Sequence, residues 1–197
     1  MSHITVLVDL INENQKENMQ VAEIGVYDGA TTKHYIETIK NNNGHLYALD
    51  WFEGNPTATG IHGYNPNNKE TAKNSFISNV EPYLDIITIL DGKSEDLISH
   101  IPDNSLDICF IDADHRYSYI FKDIELCLSK VKPGGILCGH DFEWENIFDT
   151  PNPPSGWLEQ DFVAGKHWGV IKAVHDHFGS DIQARNQPGG CCWVKQL

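Results

Sequence analysis

The stretch that most constrains this chain runs from Val21 to Thr32 and reads Val-Ala-Glu-Ile-Gly-Val-Tyr-Asp-Gly-Ala-Thr-Thr. Val21 to Ile24 form a short apolar strand, and the loop behind it has glycines at 25 and 29. A helix is expected to open at Thr31 or Thr32, where a hydroxyl can cap free N–H groups. Strand, glycine loop and helix make the first unit of a doubly wound α/β domain. Such sheets bind ligands outside the carboxyl ends of their strands. A dinucleotide fingerprint would read G-x-G-x-x-G. Here the spacing is Glu23-x-Gly25-x-x-x-Gly29, with Tyr27 where a glycine would stand. A large side chain there argues against a pyrophosphate lying flat on the loop, but not against a nucleoside carrying another tail. Glycine also serves any tight turn that needs positive φ.

The rest of the chain continues the alternation of strand and helix. Ile4, Leu7, Val8 and Ile11 have helical spacing, and residues 1–18 form an N-terminal helical segment. The first crossover helix is expected from Thr31 to Lys40. His45 to Leu49 is the second strand, ending at Asp50, 21 residues after Gly29. An acid at that offset can accept the hydroxyls of a ribose. Residues 53–68 are rich in Gly, Pro and Asn and are too long for an ordinary connection, so they read as a substrate or lid loop. A helix over Lys69–Val80, a strand over Asp85–Leu90 and a helix starting near Ser94 follow. Leu106–Ile111 is a continuous apolar strand suited to the middle of a parallel sheet. Tyr117, Ile120, Phe121, Ile124, Leu128 and Val131 form a helical stripe. Lys132-Pro-Gly-Gly135 is expected to end that helix before a strand over Ile136–Cys138. Residues 142–165 read as an irregular loop over the active face. A helix over Val170–Phe178 precedes strands at Ile182–Ala184 and Cys191–Val194. Their short connection implies an antiparallel ending. The expected fold is a Rossmann-like, doubly wound, mostly parallel seven-stranded sheet with an antiparallel last strand, in a single domain over residues 1–197.

Charge narrows the partners. With 28 acidic and 14 basic residues the net charge is −14, which repels phosphate backbones and anionic membrane surfaces. A neutral or cationic small molecule is the compatible ligand, and neither nucleic acid nor membrane is expected. The five cysteines show no framework spacing, which suits a reducing, cytoplasmic setting. No signal peptide is expected. The N-terminal helix offers a face for a homo-oligomer.

The acidic-x-Gly-x-x-x-Gly turn, Asp50, the acidic end of strand four, the Lys-Pro-Gly-Gly turn and the antiparallel last strand together resemble class I S-adenosylmethionine-dependent methyltransferases over nearly the whole length. Phe110-Ile-Asp-Ala-Asp-His115-x-Tyr117 and Gly139-His-Asp141 resemble the macrocin-type sugar O-methyltransferases and, more distantly, the catechol and caffeoyl-coenzyme A type. Those relatives hold a divalent metal between the ends of strands four and five. The resemblance implies S-adenosyl-L-methionine as cofactor. Glu23, Gly25, Tyr27 and Gly29 would surround its aminoacyl part. Asp50 and Trp51 would hold the ribose side, with Gly92, Ser94 and Glu95 beside adenine. Lys93 stands where many relatives have an acid. Asp112 borders the cofactor and, with Asp141 and His140, matches metal-ligand positions; His140 replaces an aspartate of the catechol type. His115 matches the general base.

The chemistry suits these groups. Methyl transfer to oxygen is an in-line displacement, and a neutral alcohol is a poor nucleophile. A divalent cation lowers the hydroxyl's pKa, and a histidine can take the proton near neutral pH. Asp112, Asp114 and Asp141 are expected at adjacent strand ends, where grouped carboxylates favour a cation, and oxygen-rich ligands favour Mg²⁺, Ca²⁺ or Mn²⁺ over zinc, with Mg²⁺ the first expectation. His175 and His177 are expected on the surface. His167 and Trp168 fit equally a substrate pocket or a helix start. The reading is a metal-assisted O-methyltransferase acting on a small hydroxylated molecule. The alternatives are a metal-free methyltransferase, a nicotinamide-dependent oxidoreductase and a non-catalytic binding protein.

Overall fold

The structure is a computed structural model that describes residues 3–54, 69–144, 146–187 and 190–197. The strands are β1 (Gln20–Ile24), β2 (His45–Asp50), β3 (Ile87–Asp91), β4 (Leu106–Ile111), β5 (Val131–Gly139), β6 (Gln183–Gln187) and β7 (Gly190–Gln196). The helices are α1 (His3–Glu13), α2 (Ile36–Asn41), α3 (Lys69–Val80), α4 (Ser94–Leu97), α5 (Tyr117–Leu128) and α6 (Trp168–Phe178). One sheet runs in the order β3-β2-β1-β4-β5-β7-β6. Strands β1 to β5 pair in parallel, and β7 lies antiparallel to both β5 and β6. This is the Rossmann-like single domain that the sequence implies. Strand order reverses at β1, between β2 and β4, so a crevice opens over its carboxyl end.

Strand alternation divides the core. Val21 faces the same side as Leu46, Ile108 and Phe110, under α1, α2 and α3. Ala22 and Ile24 face the other side with Cys109, Ile111 and Leu137, under α5 and α6. Glu23, two residues from Val21, therefore points into the first layer.

Several boundaries depart from expectation. The helix over Thr31–Lys40 is broken into a 3-10 turn at Thr32–His34 and α2, with Tyr35 outside helical geometry between them. Thr31 and Thr32 make no cap. Instead the hydroxyls of Thr32 and Tyr35 both donate to Glu23 Oε2. Bringing the Tyr35 ring onto that buried carboxyl costs the helix its continuity.

The buried stripe of α1 is Val6, Leu7, Leu10 and Ile11, rotated from the expected face. The third strand starts at Ile87, because residues 81–86 form a 3-10 helix. Val131 is the first residue of β5, not the last of the helical stripe. The Lys-Pro-Gly-Gly turn is absorbed into that strand as a register shift: Leu106 pairs with Val131, then Ile108 with Ile136. Gly134 and Gly135 exchange hydrogen bonds with Leu197, which keeps the excursion in the plane of the sheet.

The described residues of 142–165 carry no helix or named strand, as expected. Of the loop expected at 53–68, residues 55–68 lie outside the described residues. No helix among the described residues is long and apolar enough to cross a membrane.

Candidate active site

Sheet register builds the site. Ile24 pairs with Ile111, and Ile111 with Gly139. The next residue on each strand is Gly25, Asp112 and His140, so these three emerge side by side at the carboxyl edge. Asp112 N–H donates to Ile24 O at 2.8 Å, and His140 N–H to Ile111 O at 3.1 Å. The approach is close enough to require glycine at 25. A Cβ there would stand 2.0 Å from the Asp112 carbonyl oxygen, and its φ is +93°.

The side chains beyond that edge form one cluster. His140 Nδ1 lies 3.0 Å from Asp141 Oδ1 and 3.7 Å from Asp112 Oδ1. His115 Nε2 lies 2.9 Å from Asp141 Oδ2 and 3.9 Å from Asp112 Oδ1. Its other nitrogen, Nδ1, is 2.7 Å from Asp161 Oδ1. His167 Nδ1 lies 3.4 Å from Asp141 Oδ1 and 2.7 Å from Glu143 Oε1. Asp141 is at the centre, buried, and in the left-handed region at φ +60°. Aspartate tolerates that conformation better than most residues, and strain of this kind concentrates at functional sites.

Burial and charge oppose one another here. Burial alone would push the Asp112 and Asp141 carboxyls up, but His115 and His140 beside them hold both below the usual carboxylate range. Conversely, burial disfavours charge on His140, yet Asp112 and Asp141 push it up to about 10. His115 is likewise raised, by Asp112, Asp141 and Asp161 together against burial. One atom is left out: His115 Nε2 is buried and has no well-aligned hydrogen bond, despite its closeness to Asp141.

The other predicted cofactor residues sit at the carboxyl ends of β1, β2 and β3 and in the loops that follow them. Tyr27 has φ +44°, and its N–H donates to Asp50 Oδ2 at 2.7 Å. Phe52 N–H donates to Asp50 Oδ1 at 2.6 Å. Asp50 thus clamps the glycine loop to the end of β2, and its remaining lone pairs can accept from a ligand. Burial raises its pKa despite those N–H donors. Gly92 N–H donates to Asp50 O at 2.9 Å, which sets the loop after β3 beside Trp51. Lys93 Nζ stands 5.8 Å from the Trp51 ring centroid. Glu23 is buried beneath the loop, and burial pushes it up to about 7 against the hydroxyls of Thr32 and Tyr35. Gly29 has φ +77° and turns the chain back through its N–H to Val26 O. Ser94 donates to the buried Asp123 on α5, and Glu95 is exposed.

Asp114 does not join the metal-like cluster. Arg116 takes it in a two-pronged pair at 2.5 to 3.1 Å. Two participants escaped the sequence reading, and His167, for which that reading leaves a substrate pocket or a helix start open, is a third. Asp161 and Glu143 come from the irregular loop, where spacing gives no signal. His167 arrives because α6 packs against the start of α5: a Cβ on Gly169 would stand 2.2 Å from the His115 carbonyl oxygen. The small residue at the helix start was the available hint. His177 is half-buried rather than a surface residue, with its ring 4.1 Å from that of Phe121. Two cavities, lined by residues such as Leu10 and Arg185 or Lys16 and Lys132, lie away from this edge.

A methyltransferase-domain family model matches residues 22–142, from within β1 to just past the end of β5. An uncharacterized protein, R132, of Acanthamoeba polyphaga mimivirus is 24% identical over 174 residues, covering 84% of this chain and 70% of that protein. The O-methyltransferase TomG of Streptomyces achromogenes, involved in tomaymycin synthesis and solved with S-adenosylmethionine, superposes with a TM-score of 0.67. It is 15% identical over 99% of this chain and 79% of its own. An O-methyltransferase of Bacillus cereus, solved with S-adenosylhomocysteine, gives a TM-score of 0.64 at 16% identity, covering 99% of this chain and 80% of its own. The chain belongs to the methyltransferase-domain family and carries the fold of the class I, S-adenosylmethionine-dependent methyltransferases.

Proposed function

We propose that the protein is an O-methyltransferase that uses S-adenosylmethionine to methylate a hydroxyl of a small molecule, with a divalent cation at Asp112, His140 and Asp141. The observation that carries this reading is the convergence of those three side chains and His115 beside the Gly25 loop. The donor set suits a cation. Ligands about 2.1 Å from an ion and at right angles lie about 3.0 Å apart, close to the 3.0 and 3.7 Å spacings around His140 Nδ1. The buried His115 Nε2 lies 2.9 Å from Asp141 Oδ2 without a well-aligned hydrogen bond, so the cluster has room for a better partner between them. On the cofactor side, Asp50 and Trp51 line the crevice where doubly wound sheets take nucleosides.

S-adenosylmethionine supplies an electrophilic methyl on a sulfonium. Asp112, Asp141 and His140 would hold a divalent cation, which would supply Lewis acidity that lowers the pKa of an acceptor hydroxyl. The protein's own residues do the rest. With a cation neutralising Asp112 and Asp141, those carboxylates would no longer hold a proton on His115 Nε2, which would then take the hydroxyl proton while Asp161 accepts from Nδ1–H and orients the ring. Loop residues 142–165 supply an apolar flank for the acceptor: Phe162 is exposed, with its ring 4.8 Å from that of His167. The net charge of −14 favours a neutral or cationic acceptor over a nucleic acid.

A metal-free methyltransferase is the second reading, because His115 and His140 already stand against the two carboxylates as counter-charges. Transfer of labelled methyl from S-adenosylmethionine to a panel of catechols, phenols and sugars separates the two. The first reading expects turnover that exhaustive chelation abolishes and that Asp112→Ala loses, with cofactor binding largely spared. Turnover that is indifferent to chelation would favour the second, and no methyl transfer to any acceptor class would count against both.

A further inference from the structure

We propose that the cation site of this protein is selective for a first-row transition ion over Mg²⁺, and that His140 sets this selectivity. The inference rests on the metal-assisted reading above and concerns which ion these residues take. Mg²⁺ demands near-octahedral oxygen ligation and keeps several of its waters. Imidazole nitrogen suits zinc, iron, nickel and copper. At this site the nitrogen is unavoidable. Sheet register puts His140 next to Asp112, and His140 Nδ1 is the atom turned toward both carboxylates, at 3.0 and 3.7 Å. An ion seated between Asp112 and Asp141 therefore meets an imidazole in its first coordination shell.

The surroundings add nitrogen. His115, Asp141 and His167 form a second set of donors that overlaps the first through Asp141. The His115 and His167 rings lie 4.5 Å apart, and the buried His115 Nε2 lacks a hydrogen bond. Asp161 holds Nδ1 of His115 at 2.7 Å, leaving Nε2 toward Asp141, whereas Glu143 takes the His167 nitrogen that itself faces Asp141. A carboxylate behind an imidazole, as Asp161 is behind His115, orients a histidine around a metal. Three imidazoles within reach of one central aspartate describe a site for Fe²⁺, Co²⁺, Ni²⁺ or Zn²⁺.

The test measures binding of the metal ions alone. Purified, chelator-stripped protein is titrated with Co²⁺, followed by its visible absorption, and with Mg²⁺ in competition, for wild type and His140→Asp. Circular dichroism confirms that the variant is folded. The wild type is expected to bind Co²⁺ with an absorption band typical of mixed nitrogen and oxygen ligation, and to resist Mg²⁺. In His140→Asp the Co²⁺-to-Mg²⁺ affinity ratio is expected to fall by about 10- to 100-fold, with the band altered. An unchanged ratio in the variant, or wild-type binding of Mg²⁺ as tight as Co²⁺, would overturn the selectivity while leaving the cation site standing. Absence of any cation binding in a protein that still binds S-adenosylmethionine would overturn both it and the metal-assisted reading.

Discussion

Glu23 shows how one residue can be legible in type and not in role. Its position before the glycine loop marks the family pattern, but strand alternation turns it inward, where it accepts from Thr32 and Tyr35. Burial pushes its carboxyl to about 7, against 4.5 for an ordinary glutamate. The folded state therefore binds this proton more tightly than the unfolded chain. Its stabilising contribution is complete below about pH 4.5 and is lost as the pH rises through 7, a change of roughly 3 kcal/mol. In Glu23→Gln the acceptor remains and the titration disappears. Urea unfolding of variant and wild type across pH 4–8 should show their difference growing by that amount in favour of the variant; a constant difference would contradict it. His115 is the second residue-scale case. His115→Asn is expected to lower kcat by about 10²- to 10⁴-fold with cofactor affinity intact. Asp161→Asn should lower kcat less and shift the pH–rate profile, since it acts through the orientation of His115. Unaltered kcat in His115→Asn would remove it as the base.

At the scale of elements, the readable ones were those whose pattern matches their burial. The helix Lys69–Val80 and the strand Leu106–Ile111 have the limits read from the sequence, the strand because both of its faces are covered. Elements governed by a distant contact were not readable. Tyr35 breaks a helix to reach Glu23, and a Pro-Gly-Gly turn is held in the sheet by Leu197. The same limit applies to the site. Asp112, His115, His140 and Asp141 sit on or beside strand ends, where register places them. Glu143, Asp161 and His167 depend on the fold of a long loop and on helix packing. The glycines separate the two kinds of constraint. At Gly25 an added Cβ meets the Asp112 backbone and a positive φ at once. Gly25→Ala is expected to cost roughly 3–5 kcal/mol. Gly134 has φ +82° but nothing within 4 Å of the added atom, so Gly134→Ala should cost only about 1–2 kcal/mol. Urea denaturation of both variants checks the order, and equal costs would contradict it.

For the whole molecule, the doubly wound sheet sets the crevice and the charge sets what approaches it. S-adenosylmethionine carries one net positive charge at neutral pH, whereas its demethylated product is neutral. A protein of net charge −14 attracts the first over the second through a field that salt screens. Raising ionic strength from low to about 0.5 M, where the Debye length is only a few Å, is expected to weaken S-adenosylmethionine binding several-fold more than product binding. Equal salt dependence of the two affinities would mean that the molecular field plays no part. The central claim is that the crevice over Gly25, Tyr27 and Asp50 binds this cofactor. Its most direct test is calorimetric titration of S-adenosylmethionine into the purified protein, beside an Asp50→Ala variant. The account predicts saturable one-to-one binding that Asp50→Ala weakens strongly. No heat of binding to the folded wild-type protein, by calorimetry or by a thermal shift, would contradict it.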